Sequence, residues 1–420
     1  MPAAETSKNT VSVPRLSEIA RVFAKVGTIG FGGGVGMLAL IRQEIVERRR
    51  WVDDAQLSVA VAMGQMLPGP FVSNYAEYIG YELRGMKGMV VAVIALLAPC
   101  FVLMCGLSFL YFQFGSVPLV TKLFAGVQPV VVGILAWATW QIGKANVRNW
   151  RAGIIGVIAA VALFFKFDVL LVVIACGILG ILVSVKGLRD RGIKGSSGGQ
   201  GETEAEAKSQ ESKARGQNGP ERTANGERRM AFVPWFLPLL FVAVAVPGVW
   251  QKAGELAYVF LKVGTVIFGG GFAAIPFLQH EVVDVHHWLS MREFIDGVAL
   301  GQITPGPVAI TAAFIGYKVL GFWGALIAAL GTFVPSFLML WGLIKVYRRV
   351  SSNALVRGFL SGVMPAVTGM LLVSTVFIGR SAIIGPAQVV IALLSLGLLL
   401  WLKIEPVWLI LGGALVGLLI

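Results

Sequence analysis

Charged residues are the first thing that this sequence has in short supply. Only 14% of its 420 residues are Asp, Glu, Lys or Arg, whereas about a quarter of a soluble domain is charged. Hydrophobic residues reach 56%, and apolar runs of about 20 residues, long enough to cross a bilayer as helices, recur along the chain. The composition argues against a large soluble core and predicts an all-α polytopic membrane protein.

Cysteine and histidine are also rare, with three residues of each. The cysteines lie inside apolar runs, so we expect neither a disulfide framework nor a metal site. Residues 280–284 read H-E-V-V-D and lack the second histidine of the zinc motif H-E-x-x-H. The phosphate-binding motif G-x-x-x-x-G-K-S/T and the nucleophile motif G-x-S-x-G do not occur. We therefore expect no enzyme, no catalytic residue and no cofactor.

A basic soluble domain is missing too, although the formal net charge is +13. Without such a domain, nothing indicates binding to nucleic acid. Cytoplasmic loops of membrane proteins collect Lys and Arg, which accounts for the excess. Residues 1–14 lack the charged and apolar regions of a secretory signal, and we expect them to be a disordered leader.

What the chain does contain is a duplicated block. Residues 23–70 and 260–307 align without a gap at an offset of 237 and match at 19 of 48 positions. Each copy carries F-G-G-G, at Phe31–Gly34 and Phe268–Gly271, and then G-Q-x-x-P-G-P, at Gly64–Pro70 and Gly301–Pro307. At an offset of 236 the similarity continues, for example from Pro129 to Pro365. The chain therefore consists of two homologous helical repeats.

The repeats are separated by a segment of different composition. Gly, Ser, Glu, Lys and Gln dominate after residue 185, which is typical of a disordered linker. An apolar run without a counterpart in the first repeat follows it. The predicted organisation is a leader at 1–14, a first repeat at 15–185, a polar disordered linker at 186–229, an extra transmembrane helix at 230–252 and a second repeat at 253–420.

The charges of equivalent loops indicate that the repeats are inverted. Residues 114–121 carry no charge, whereas their counterpart carries Lys345, Arg348, Arg349 and Arg357. The next loop reverses this pattern, with Lys144, Arg148 and Arg151 in the first repeat and only Arg380 in the second. If basic loops face the cytoplasm, the two repeats have opposite orientations, and the extra helix supplies the additional crossing.

Both motifs that the two repeats share contain helix breakers. As one straight helix, the segment from Leu16 to Arg48 would be about 48 Å long, and its glycine triplet is costly in a helix interior. The segment is either a discontinuous span or a re-entrant pair of short helices, and the sequence leaves both open. Proline removes a backbone donor and ends the preceding helix, so the P-G-P motifs predict a second break.

The breaks are candidate binding elements. An unwound segment exposes N–H groups at the start of the next helix, where an anion binds favourably, although close packing through small residues explains glycines equally well. Lys25 and Lys262 precede the triplets by two turns and suit a divalent oxyanion, or they snorkel to the headgroups. The candidate substrate-binding residues are Lys25, Gly32, Gly33, Gly34, Gln65, Pro68, Gly69, Pro70, Lys262, Gly269, Gly270, Gly271, Gln302, Pro305, Gly306 and Pro307.

Three glutamates are candidates for proton coupling, because ionisable groups at membrane depth are usually functional. Glu44 and Glu281 are equivalent, but Glu44 lies in a run of arginines, where an ion pair or a capping role fits as well. Glu77 follows the first P-G-P in apolar sequence and has no acidic counterpart in the second repeat. The two repeats therefore need not do the same job.

At these motifs the chain resembles the long, two-domain members of the chromate transporter (CHR) family. The resemblance covers about residues 16–185 and 255–420. It implies a secondary transporter of the bacterial inner membrane that exports chromate and confers chromate resistance. Sulfate or another divalent oxyanion is the alternative substrate, since sulfate has a similar tetrahedral shape.

The resemblance and the composition also set the expected partners. These are chromate, with sulfate or protons as further or coupled species, and the lipid bilayer; a homodimer fits this architecture, and we expect the linker at 186–229 to be cytoplasmic. Two readings from other classes stay open. A channel would be expected to carry rings of carboxylates, and a flippase or scaffold would need a partner surface, for which the linker is the candidate.

Overall fold

The computed structural model describes residues 14–31, 33–115, 117–194, 247–268, 270–351, 353–402 and 404–419. Every regular element within these ranges is helical, which agrees with the predicted fold class. The first repeat contains α1 (Leu16–Ile29), α2 (Gly33–Ile41) with a π-helical continuation (Arg42–Arg48), α3 (Asp54–Met66), α4 (Phe71–Phe114), α5 (Pro118–Asn146), α6 (Trp150–Phe164) and α7 (Val169–Lys194).

The second repeat follows the same order. It contains α8 (Pro247–Val266), a 3₁₀ turn (Gly271–Ala273), α9 (Ala274–Gln279) with a π-helical continuation (His280–Val285), α10 (Met291–Ile303), a 3₁₀ turn (Val308–Ile310), α11 (Thr311–Ser351), α12 (Ala354–Ala382), α13 (Pro386–Gly397) with a π-helical continuation (Leu398–Leu402) and α14 (Pro406–Leu419). Most of the expected linker and extra transmembrane helix lies outside the described residues, as does the leader up to residue 13. Helix α7 reaches Lys194, so the first residues of the segment expected as linker are helical.

Equivalent capping boxes start the equivalent helices α3 and α10. The Asp53 carboxylate accepts from the Gln56 amide at 2.7 Å, and the Gln56 side chain accepts from the Asp53 amide. Ser290 and Glu293 form the same reciprocal pair before α10. Such a box satisfies two of the backbone donors that a helix leaves free at its start. Local sequence therefore fixes the start of both helices.

The long helices α4 and α11 each fold back on themselves. Arg84 and Gly85 leave the helical conformation, and Gly85 has φ of 58°, a region that favours glycine. Beyond this turn, Gly88 packs directly against Gly80, although eight residues of straight helix would hold them about 12 Å apart. In α11 the turn is at Leu320 and Gly321, and Gly316 packs against Gly324. Each element is therefore a hairpin, of 71–83 with 86–114 and of 311–319 with 322–351.

The contact between α5 and α12 shows that the repeats are inverted. Thr139 and its equivalent Thr375 lie with their Oγ1 atoms 3.4 Å apart, as expected where a twofold axis passes between two copies. Gly143 lies against Thr368, and Gly379 lies against Val132, so the two helices run antiparallel. The axis is perpendicular to both helices and lies in the membrane plane when they span it. The predicted inversion is confirmed.

The repeats also exchange their terminal helices. Helix α5 packs against α13 and α14 of the second repeat, and α12 packs against α6 and α7 of the first. Gly126 on α5 contacts Gly413 and Gly417 on α14, and their equivalents repeat this contact between α12 and α7. Small residues let the backbones approach closely, which is how helices associate in lipid. The two repeats thus form one interleaved body.

Apolar surface suits a membrane environment. Within the described residues, four helices are long and apolar enough to cross a bilayer by length and composition: Phe71–Phe114, Pro118–Asn146, Val308–Val346 and Leu355–Ala382. Large apolar side chains such as Val102, Trp140 and Leu393 are more than half exposed on the outside of this bundle. Exposing so much apolar surface to water is unfavourable, so this surface is suited to contact with lipid.

Candidate functional site

The glycine triplets form the tips of helical hairpins. In the second repeat, His286 Nδ1 lies 2.8 Å from a Glu255 oxygen, and the Lys262 ammonium lies 2.8 Å from Glu281. These contacts join residues before the glycine triplet to residues after it, so the helices on either side of the triplet lie side by side. In the first repeat, Lys25 and Glu44 make the equivalent contact at 2.7 Å. Of the two arrangements left open by the sequence, the structure has the re-entrant one.

The P-G-P motifs form the tips of a second pair of hairpins. Helix α3 returns along the start of α4, where the Asn74 amide approaches the Gly64 carbonyl at 3.4 Å and Gly64 packs against Tyr75. Gly301 meets Thr311 in the same way in the second repeat. All six P-G-P residues are buried. Each repeat therefore brings two backbone breaks into the interior.

The breaks of one repeat bond to the breaks of the other. The Gly69 amide donates to the Ile267 carbonyl at 2.6 Å, and the Gly306 amide donates to the Gly30 carbonyl at 2.9 Å. These bonds are equivalent under the offset of 237, so each P-G-P tip is held by the glycine-triplet tip of the opposite repeat. Irregular backbone at membrane depth is tolerated where protein or a cavity receives it, and here the opposite repeat receives it.

Two of the tip glycines cannot be replaced without strain. Gly69 and Gly306 have φ of 116° and 114°, values that residues other than glycine rarely adopt. A Cβ on Gly69 would lie 2.3 Å from the Ser336 Cβ, and one on Gly306 would lie 2.9 Å from the Cys100 Cβ. Ser336 and Cys100 are themselves equivalent positions. Each P-G-P tip thus packs against a buried residue of the opposite repeat, Gly69 against Ser336 and Gly306 against Cys100.

Phe71 joins the two triplets, and no feature of the sequence singled it out. A Cβ on Gly270 would lie 3.3 Å from the Phe71 ring, and one on Gly34 would lie 3.9 Å from it. The equivalent residue, Val308, instead lies against Gly271. The structure therefore brings both triplets to one aromatic side chain. Gly32 and Gly269, which belong to the predicted site, lie outside the described residues.

Both candidate lysines are engaged in ion pairs. Lys25 shares Glu44 with Arg48, each at 2.7 Å, and its side chain is 47% exposed. Lys262 is only 16% exposed and lies 2.5 Å from Asp168 and 2.8 Å from Glu281. Their role in holding an oxyanion stays a prediction, and the pairs already compensate each ammonium with carboxylate.

These pairs determine the protonation of the carboxylates outside the spans. The Lys25 ammonium holds the pKa of Glu44 below its ordinary value, against the opposing effect of burial. Burial disfavours the charged form of Asp168, but the Lys262 ammonium and the Leu171 amide outweigh it and lower the pKa of Asp168. Both groups are therefore held as carboxylates. Asp168 follows α6 and belongs to the first repeat, so its pair with Lys262 links the repeats.

Asp168, His280 and Glu281 are close enough together to hold a metal ion, with one ligand atom from each lying within 4.8 Å of the others. However, the Lys262 ammonium donates to both carboxylates of this group. A cation is thus already present between them. The arrangement is that of a lysine-centred ion-pair cluster.

The glutamines that precede the P-G-P break differ between the repeats. Gln65 is exposed and hydrogen-bonded to the buried Tyr75. The Gln302 Nε2 atom is buried and has no hydrogen-bond partner among the described residues. Glu77, on the first turns of α4, is fully buried, and both of its carboxyl oxygens are without partners in the same set. The candidate residues therefore include buried polar groups that no described residue satisfies.

A polar network at one end of the molecule joins the repeats and was missed by sequence reasoning. The buried Asp296 carboxyl accepts from the Tyr111 hydroxyl and from the Gln128 amide, each at 2.8 Å. It adjoins a cavity of about 300 Å³ that also contacts Arg292 and Lys318. The available signal was an aspartate in the apolar stretch of α10, where the first repeat has Val59.

Comparison with known proteins places these features in a family. The sequence model described as "Chromate transporter" matches residues 17–181 and 254–418. A chromate transport protein of Cupriavidus metallidurans is 30% identical over 417 residues, which cover 98% of this chain and 95% of that protein. A probable chromate transport protein of Synechococcus elongatus is 28% identical over 384 residues, covering 91% and 89%.

A further relative corresponds to a single repeat. An uncharacterized transporter of Bacillus subtilis is 38% identical over 154 residues, which cover 36% of this chain but 86% of that protein. No solved structure matches the chain.

Proposed function

This chain belongs to the chromate transporter family, and on that premise we propose that it is a secondary transporter that exports chromate from the cytoplasm. The observation that carries the proposal is the reciprocal bonding of the glycine-triplet and P-G-P tips at Gly69–Ile267 and Gly306–Gly30. Inverted repeats with broken helices place a substrate site where the breaks meet. Chromate is the substrate that the family and the Cupriavidus metallidurans relative are named for.

The binding chemistry of the tips suits an oxyanion. Helix α2 begins at Gly33 and the second triplet leads into a 3₁₀ turn at Gly271, so the amides at these starts lack an intrahelical partner. Such amides attract negative charge. Substrate-binding roles for Lys25 and Lys262 belong to the same proposal, and would require that the ion pairs open when the anion arrives.

The direction of transport follows from charge. A negative-inside membrane potential favours outward movement of an anion by about 2.3 kcal/mol per charge per 100 mV. Alternating access would be a movement of one inverted repeat against the other about the shared tips. In the inner membrane of a bacterium, with residues 186–229 on the cytoplasmic side, export of this kind would lower cytoplasmic chromate and give resistance. Sulfate is the competing substrate, because it is also a tetrahedral dianion.

Transport into inverted membrane vesicles tests this function. Vesicles from cells that make the protein are expected to accumulate chromate faster than vesicles from cells that lack it. Sulfate added in excess tests the alternative substrate, since strong inhibition would show that sulfate competes with chromate for the same site. Absence of protein-dependent chromate flux in both vesicles and reconstituted liposomes would overturn the proposal.

A further inference from the structure

Glu77 is the most isolated ionisable group among the described residues. Its side chain is 0% exposed, and neither carboxyl oxygen has a hydrogen-bond partner among them. It lies in α4, the second arm of the P-G-P hairpin, one turn beyond Asn74 on the same helix face. Asn74 is also fully buried, and its Oδ1 atom is likewise unpartnered. Two buried side chains with unpartnered oxygens thus follow the break.

Asn74 lies close to the tip of the P-G-P hairpin. The Asn74 amide points back to Gly64, and a Cβ on Gly69 would lie 3.7 Å from the Asn74 Oδ1 atom. Ser336 of the opposite repeat lies on the other side of Gly69. Asn74 therefore lies beside the tip at Gly69, and Glu77 follows it by one turn of α4. The Gly69 amide is also the one that bonds to Ile267.

No charged side chain described on the neighbouring elements compensates Glu77. Helices α1, α2, α3, α10 and α11 pack against α4, and α2 carries no charged residue. On the other four helices, Arg21 and Arg292 are exposed. The remaining described charged groups have other partners: Glu18 accepts from the Arg15 amide, Lys25 pairs with Glu44, Asp54 with Arg42 and Glu293 with Lys318, Asp296 accepts from Tyr111 and Gln128, and Lys345 lies over the Trp341 ring. On its own helix, Tyr75 bonds to Gln65, Arg84 donates to the Pro14 carbonyl, and Glu82 and Lys87 are exposed.

A carboxylate cannot remain ionised in such surroundings. Removing the charge from water is very costly unless a counter-charge or several donors replace the solvent. The group therefore binds a proton in this conformation, and it can release the proton only when a change of conformation admits water. Glu77 also has no acidic equivalent, because Ala313 and Phe314 occupy the corresponding position. The described part of the second repeat thus has no equivalent of this site.

We propose that Glu77 is a proton-binding site linked to the oxyanion site, so that a proton and the anion occupy the transporter together and leave it on the same side. This proposal rests on the proposed function. The anion is expected to strengthen proton binding, because a negative charge at the Gly69 tip disfavours the ionised form of a nearby carboxyl group. A dianion that leaves with one proton carries one elementary negative charge outward instead of two.

Infrared spectroscopy tests the proton site without any transport. At neutral pH the purified protein is expected to show the carbonyl stretching band of a protonated carboxylic acid, and Glu77→Gln is expected to remove it. Glu82→Gln is the matched control, because Glu82 is on the same helix but exposed, and it should leave the band unchanged. An unchanged band in Glu77→Gln would overturn the proposal.

Reconstituted liposomes test the linkage to the anion. In vesicles loaded with chromate and a pH-sensitive dye, efflux through the wild-type protein is expected to make the lumen more alkaline. For each mole of chromate released, whatever the rate, Glu77→Gln should lose this signal down to the level of protein-free vesicles, and Glu82→Gln should keep the wild-type ratio. Comparison with Glu77→Gln also removes the contribution of protonation of chromate itself.

The two experiments separate the two proposals. Lumenal alkalinisation that persists in Glu77→Gln, or acidification by the wild-type protein, would overturn the linkage. If the wild-type protein moves no chromate at all, the proposed function fails and the linkage to the oxyanion fails with it. The infrared band still decides whether Glu77 holds a proton.

Discussion

The amide of Gly69 donates to the carbonyl oxygen of Ile267 across 2.6 Å, between residues that are almost two hundred positions apart in the chain. Its equivalent, from Gly306 to Gly30, closes the same contact from the other repeat. Each backbone break is therefore satisfied by the repeat that did not supply it. This pairing holds the interior together, and it must rearrange if the repeats move against one another.

Replacing the tip glycines should disable the protein. In Gly69→Ala or Gly306→Ala, the backbone conformation costs about 1–2 kcal/mol, and the new methyl group overlaps Ser336 or Cys100. We expect a lower melting temperature in detergent and little or no chromate transport. Gly106→Ala and Gly342→Ala are matched controls, since these equivalent glycines have nothing within 4 Å of an added Cβ. Equal loss in the controls would contradict the assignment.

The two lysines should differ in their effect on stability. Lys262→Ala leaves the buried Glu281 and the partly exposed Asp168 without their shared cation, which costs about 3 kcal/mol by analogy with buried pairs. Lys25→Ala should cost less than about 1 kcal/mol, because its ammonium is half exposed and Arg48 still pairs with Glu44. Chemical unfolding of both variants in the same detergent measures the difference. Equal destabilisation would show that the extra contact with Asp168 contributes nothing.

The same variants separate structure from substrate binding. If the lysines hold the oxyanion as predicted, Lys25→Ala combined with Lys262→Ala should abolish chromate flux even where the protein remains folded. Size-exclusion chromatography of the double variant provides the control for folding. Flux that survives in the folded double variant would remove both lysines from the binding site and leave the tip amides.

Acid should destabilise the protein through Asp168 and Glu44. Because their folded-state pKa values are lowered, their ion pairs stabilise the protein above the unfolded-state values of about 4 and lose this effect as the pH falls through the lowered folded values. The melting temperature should therefore decrease from about pH 4 downward. Asp168→Asn combined with Glu44→Gln should flatten this decrease. An identical acid profile in wild type and variant would contradict the lowered pKa values.

The network at Asp296 should contribute to the association of the repeats. Tyr111→Phe removes one donor to the buried carboxyl, and such a loss costs about 1–2 kcal/mol. We expect a lower melting temperature than that of the wild type. Tyr258→Phe is the control, because Tyr258 is 68% exposed, and its melting temperature should be unchanged. A neutral Tyr111→Phe would show that Gln128 alone satisfies Asp296.

Reporter fusions should locate the two ends of the inverted pair. A reporter placed after residue 115 and one placed after residue 350 follow equivalent helices, so they should report opposite sides of the membrane. Alkaline phosphatase, which is active outside the cytoplasm, and green fluorescent protein, which is fluorescent inside it, give complementary signals. The same side for both fusions would contradict the antiparallel packing of α5 and α12.

The sequence by itself determined the class, the duplication and the inversion. A shortage of charge and recurring apolar runs require a membrane, the constant offset of 237 identifies the repeats, and the alternation of basic loops orients them. Local rules also located the breaks, because glycine triplets and P-G-P end helices wherever they occur. These are properties of composition and of near neighbours, which the sequence records directly.

The tertiary structure decided what the breaks do. Whether a triplet interrupts a span or forms a hairpin tip depends on the contacts of Lys25 with Glu44 and of Glu255 with His286, and no local preference encodes these. The bond from Gly69 to Ile267, the Phe71 ring between the triplets and the isolation of Glu77 each depend on which surfaces meet across the pseudo-twofold axis. Distant segments meet through packing and burial, so only the folded chain shows them.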